Sequence, residues 1–171
     1  MKRSLLMTLI AVMLFAVTNV SAQNRRPRPS PPDTVKATTS KGVDIAIAYS
    51  QPSIKGRTIG TDIARYGEEW RTGANEQTAI TVSKDVTIGG NKLPAGKYSI
   101  WSIPGEKQWI FIFNKNTTNW GTEHDKTADV FQVTTKTEKA KTFAEVMKFE
   151  VDKKGKVAFV WGNVKAGFVV K

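Results

Sequence analysis

The densest run of chemistry-bearing side chains is "YGEEWRTGANEQT", Tyr66 to Thr78, where Glu68, Glu69, Glu76, Arg71, Asn75 and Trp70 surround Gly73. Two carboxylates alone can hydrolyse a glycosidic bond, so Glu68, Glu69 and Glu76 are the acids to consider, with Arg71 beside Glu76. Nothing in the pattern fixes their separation. The same residue types also suit binding. A guanidinium fork grips carboxylate, phosphate or sulfate, and an indole offers area while amides and acids give direction. The upstream stretch "YSQPSIKGR" adds Tyr49, Lys55 and Arg57. The candidate ligand-binding set is therefore Arg57, Trp70, Arg71, Asn75, Glu76, Tyr49 and Lys55. A structural reading competes with it. Trp70 would cap one end of the fold, and Arg71 would pair with Glu76. Gly73 would take a left-handed turn, and Asn75 would bond its own backbone.

Other catalytic arrangements are missing from the chain. There is no cysteine, and His124 in "WGTEHDKT" is the single histidine. No G-x-S-x-G elbow, H-E-x-x-H pair or phosphate-cradling glycine loop occurs. Glu123, His124 and Asp125 are consecutive, so on a strand they would alternate faces and could not converge on one metal. His124 reads as a surface-loop histidine. No catalytic residue, metal or cofactor is expected.

Period-two patterning sets the elements that must position these groups. "VDIAIAY" places Val43, Ile45, Ile47 and Tyr49 on one face, and "TAITVS" does the same with Ile80 and Val82. "QWIFIFN" is apolar on both faces, as in a central strand covered on each side. "KYSIWSI", "DVFQVTT", "VMKFEV", "KVAFVWG" and "GFVVK" continue the series. In "VTIGGNKLPAGKYSIWSI" the Gly89-Gly90-Asn91 turn and the Pro94-Ala95-Gly96 turn separate three strands. "GTDIARYG" and "KTEKAKTFAEV" are the best helix candidates, yet Phe143, Met147, Phe149 and Val151 keep to one strand face. The reading is an all-β antiparallel sandwich, jelly-roll or immunoglobulin-like, of eight or more strands. Trp101, Trp109 and Trp161 lie on strands and read as core. Trp70 and Trp120 lie beside polar loops.

The chain opens with Lys2 and Arg3, an apolar run from Leu5 to Val17, and small residues before Ala22. That layout is a secretory signal, too short to span a membrane. It predicts a signal peptide over 1–22, a Pro/Arg-rich linker over 23–34, and a single domain over 35–171. The product would be exported, to the periplasm or beyond the cell, and would meet the membrane only through its transient signal. The formal net charge is +11, which favours acidic partners. The lysines are scattered, however, and clustered basic residues of the kind that grip nucleic acid are missing.

"YSQPSIKGRTIG", the block from Tyr66 to Lys115, and "NWG" together resemble the bacterial family called domain of unknown function 2911. The resemblance covers about Val35 to Lys171. It implies an exported protein of a kind frequent in Gram-negative bacteria, with no established activity and no catalytic assignment to transfer. The family's recurring positions fall on Tyr49, Ser50, Pro52, Lys55, Gly56 and Arg57, and on Trp70 to Glu76. Gln51 stands where relatives usually carry arginine. Three functions stay open: a binding module for an anionic small molecule, glycan or peptide; a structural or assembly protein; and a carboxylate-dependent hydrolase using Glu76 with Arg71.

Overall fold

The computed structural model describes residues 28–171. The signal segment and Arg25 and Arg26 of the linker lie outside the described residues. Ten strands follow in order: β1 Pro32–Thr38, β2 Asp44–Ser50, β3 Ala79–Val82, β4 Val86–Ile88, β5 Asn91–Leu93, β6 Gly96–Ile103, β7 Gln108–Asn114, β8 Asp129–Lys136, β9 Glu138–Val151 and β10 Lys156–Val169. A single 3₁₀ turn, Lys126–Ala128, is the helical element among the described residues. β1 starts at Pro32, inside the proline stretch read as linker.

Six strands form one antiparallel sheet in the order β1-β2-β3-β6-β7-β8, and β9 and β10 pair as a long hairpin. The hairpin covers the inner face of the sheet. Aromatic edges meet between the two layers: Trp109 on Phe159 at 5.0 Å, Phe111 on Phe168 at 5.2 Å, and Tyr49 on Phe149 at 4.9 Å. The alternation in "VDIAIAY" holds, since Val43, Ile45, Ile47 and Tyr49 are all buried. The architecture is all-β and sandwich-like, as the periodicity implied. The two-residue turn Gly89-Gly90 joins β4 to β5 with both φ values positive, at 57° and 88°, as a tight hairpin of this hand requires.

The strand reading of "KTEKAKTFAEV" holds, since Glu138–Val151 is one strand. One expectation changes. Phe143 is 57% exposed and does not share the buried face of Met147 and Phe149. Register shifts between Val160 and Gly162, and between Gly162 and Val164, interrupt the β9–β10 pairing. From Lys148 to Ala144 β9 advances four residues against two on β10, and across this irregularity the buried positions pass from Phe149 and Met147 to Ala140.

The outer face of the sheet is also partly covered. Trp101 and Ile112 are cross-strand partners on it, and both are buried. β7 is thus doubly covered, although it lies beside the edge strand β8 rather than at the middle of the sheet. The cover is the connection between β7 and β8, residues 115–128. The site described next sits where that cover ends.

Candidate functional site

The segment 66–78 runs along the end of the sheet. The Trp70 backbone exchanges two hydrogen bonds with Ser102, each 2.8 Å, so it extends the row of β3 beside β6. Its indole therefore turns to the inner face. There it stacks on Trp161, with centroids 5.5 Å apart and planes 11° from parallel. Trp70 is packing for the hairpin layer and offers no open platform.

Thr72 is fully buried with φ at 55°, and Asn75 has φ at 56°. A β-branched residue rarely adopts this left-handed conformation. Here it is held by two hydrogen bonds. The Thr72 hydroxyl donates to Ser102 Oγ at 3.0 Å, and the Thr78 hydroxyl donates to the Thr72 carbonyl at 2.9 Å. Gly73 does not take the left-handed turn expected of it. Its constraint is space, because a Cβ there would lie 2.7 Å from Thr78 Oγ1.

The polar side chains of the segment bind the chain itself. Arg71 does not pair with Glu76. Its guanidinium donates to the Gly121 carbonyl at 3.4 Å, and burial pulls its pKa down. Asn75 Nδ2 donates to the Ser30 carbonyl at 2.9 Å rather than to its own backbone. Glu76 is paired with Arg28, and Ser50 Oγ donates to it at 3.2 Å. The Arg28 hydrogen bond, foremost, holds the Glu76 carboxyl below its ordinary range.

Arg57 and Lys55 lie elsewhere. Arg57 donates to the carbonyls of Ile54 and Ser53, at 3.0 and 2.7 Å, and borders a depression with Phe143 and Asn163. Lys55 is exposed, and its backbone N–H donates to Glu145 Oε1 at 2.8 Å. The two arginine forks of the sequence reading do not converge.

Two members of the predicted set do line a common space. A cleft of about 390 Å³ opens on the outer face between the β1–β2 edge and the 115–128 connection, and Tyr49 and Glu76 border it. Its floor holds the small side chains Ala48 and Ala79, which are register partners. Asp33 and Lys97 border it from the strands, and Asn119 and Trp120 from the connection. Trp120 is 49% exposed, and its backbone bridges that of Glu76. Gln77 also borders the cleft, and its Oε1 is buried with no hydrogen-bond partner among the described residues.

Tyr49 borders the cleft, but its ring turns to the inner face against Phe149. Its hydroxyl donates to Asp33 Oδ2 at 2.8 Å and accepts the Phe149 N–H at 3.1 Å. Burial, foremost, pushes its pKa up to about 12. Gln51 Nε2 donates to the same Asp33 oxygen at 3.3 Å, so at this position the chain uses an amide to orient the acid.

The wall that carries Trp120 is built from asparagines. Asn114 is fully buried, and its Nδ2 donates to the Asp125 carbonyl at 2.6 Å and to Asp129 Oδ1 at 2.7 Å. Asn116 Oδ1 accepts the N–H groups of Thr118 and Asn119, at 3.1 and 3.2 Å, a turn type that asparagine favours.

His124 is not a surface histidine. Its side chain is 5% exposed, with Nδ1 3.2 Å from Glu69 and Nε2 2.8 Å from Asp129. Lys126 closes the network at 2.7 Å from Glu69. Burial raises the Glu69 carboxyl, but hydrogen bonds from Lys126 and His124 outweigh it and leave the group below its ordinary range. Both ring nitrogens face carboxylates, so the histidine has no lone pair turned outward for a metal. No group of three or more His, Asp or Glu that could hold a metal ion occurs among the described residues.

The connected stretch from Asp33 through the cleft to Val170 lies within a single family match. The chain belongs to the family described as Protein of unknown function (DUF2911), matched over residues 30–170. No curated protein and no solved structure matches it. The match takes in every residue of the cleft and of the His124 network. Trp120 stands out in the sequence for its polar surroundings but is not in the candidate set. Lys97, Asp33 and Asn119 carried no signal, because only the pairing register brings them together.

Proposed function

We propose that this DUF2911 protein is a binding module that acts after export, and that its ligand is an uncharged glycan held in the cleft beside Trp120. The observation that carries the reading is Trp120 itself: a half-exposed indole, on backbone bridged to that of Glu76, bordering a cleft with a floor of alanines. An indole gives a sugar ring an apolar face, and hydroxyls, amides and carboxylates at the rim take its hydroxyl groups. An anionic ligand is favoured less, because Arg57 and Arg71 bind backbone carbonyls away from the cleft. Hydrolysis is favoured less too. A general acid at neutral pH needs a raised carboxyl, whereas Glu76 and Glu69 are both shifted downward.

Ligand-observed NMR with soluble neutral glycans tests this. Wild type should show saturation transfer to sugar protons, and Trp120→Ala should abolish it with an unchanged melting temperature. Equal transfer to Trp120→Ala would sink the reading.

A further inference from the structure

A second concavity of about 490 Å³ lies on the same outer face, bordered by Lys36, Thr38, Asp44, Ala46, Thr81 and Ser83. The register places it directly against the first. Thr34, Ala48 and Ala79 form one row across the sheet, and Lys36, Ala46, Thr81 and Lys97 form the next. The floor is thus continuous from Ala48 to Ala46 and from Ala79 to Thr81. We infer that the two concavities form one groove that takes an extended, linear, uncharged oligosaccharide, with its second subsite over Ala46 and Thr81. The inference rests on the binding reading above and specifies its ligand.

Three observations support it. Length is the first. The groove follows β2 from Asp44 to Ser50, seven residues that span about 20 Å at about 3.3 Å each. A single sugar ring cannot fill that. Width is the second. Lys36 and Lys97 rim the middle row three strand spacings apart, about 14 Å, and the side chains between them are only alanine and threonine. Bulky residues there would block a chain from lying along the sheet.

Charge is the third. The whole chain holds 26 Lys and Arg against 15 Asp and Glu. On the outer face of the groove, however, Lys36 and Lys97 are matched by Asp44 and Glu76. Among the described residues, the other lysines line neither concavity. A balanced lining of donors and acceptors suits hydroxyl groups and gives no net attraction to a polyanion.

Isothermal titration with β-linked and α-linked glucose oligomers, each from dimer to hexamer, tests the inference. In one series the hexamer should bind at least about tenfold more tightly than the dimer. Ala46→Trp, which fills the second concavity, should remove that gain and leave dimer affinity unchanged. Lys36→Ala, which leaves the floor intact, should reduce the gain in part. If the hexamer binds no better than the dimer, the second subsite is refuted and the Trp120 cleft stands alone. If no oligomer of either series binds at millimolar concentration, both the groove and the glycan reading fail.

Discussion

The His124 ring lies flat on the Trp101 indole, with centroids 4.5 Å apart and planes 14° from parallel. This contact fastens the 115–128 connection to the outer face of the sheet. Glu69 and Asp129 hold the ring from either side. The wall of the cleft therefore depends on a residue that contributes nothing to the cleft lining. His124→Ala should cost about 2 kcal/mol or more, since hydrogen bonds to charged groups and an aromatic stack are lost together. Urea unfolding would measure it. Hydrogen exchange should rise first in residues 115–128.

Gly121 offers a sharper test of the same wall. A Cβ at this position would collide with the Asn75 carbonyl and lie 2.6 Å from Arg71 Cδ and 3.1 Å from the Glu76 carbonyl carbon. Two of these neighbours are backbone and cannot rotate away. Gly121→Ala should destabilise by about 2 kcal/mol and loosen the Glu76–Trp120 bridge. The melting temperature and the amide shifts of residues 75 and 76 would show both effects.

Acid should weaken the network through Glu69. A carboxyl lowered in the folded state stabilises the fold above its unfolded value and loses that contribution as pH falls through the folded one. For Glu69 the loss begins as pH drops below the free value of 4.5. Glu76 adds to it in the same direction. Unfolding in urea at neutral pH and at about pH 3.5 should show a smaller acid loss for Glu69→Gln than for wild type.

Tyr49 should act at the opposite extreme. A raised phenol favours its protonated form in the fold, so its contribution is complete below 10 and disappears as pH rises toward about 12. Spectrophotometric titration should resolve one tyrosine with a midpoint near 12. Tyr49→Phe should remove that late step. It would strand the Phe149 N–H in the core, at a cost of about 1–3 kcal/mol.

The sheet was legible in the sequence because its inner face alternates strictly. Ile45, Ile47, Ile80 and Val82 could be placed by period alone. The irregular half of β9–β10 is not legible, since the break in register moves the buried face without marking the sequence, and Phe143 lies on the surface. In "YGEEWRTGANEQT" the density of polar groups is plain in the sequence, but their partners are not. Arg71 reaches Gly121, Asn75 reaches Ser30 and Glu76 reaches Arg28, each more than 40 residues away in sequence. Pairings of that range follow from topology, which local pattern does not encode. His124 was misplaced for the same reason. A loop position suggested exposure, while Trp101, Glu69 and Asp129 converge on it from three other segments. The cleft was half visible, through Tyr49, Glu76 and the setting of Trp120. Its floor was not visible, because alanines in a strand announce nothing.

The central claim is that ligand enters the cleft beside Trp120. The most direct measurement is a ¹H–¹⁵N correlation spectrum of the labelled protein titrated with the tightest-binding neutral oligosaccharide. The account predicts saturable shifts of the Trp120 indole N–H and of the Ala48, Ala79 and Asn119 amides, with Arg57 and Phe143 unmoved. Shifts confined to the Arg57–Phe143 depression, or none at saturating ligand, would contradict it.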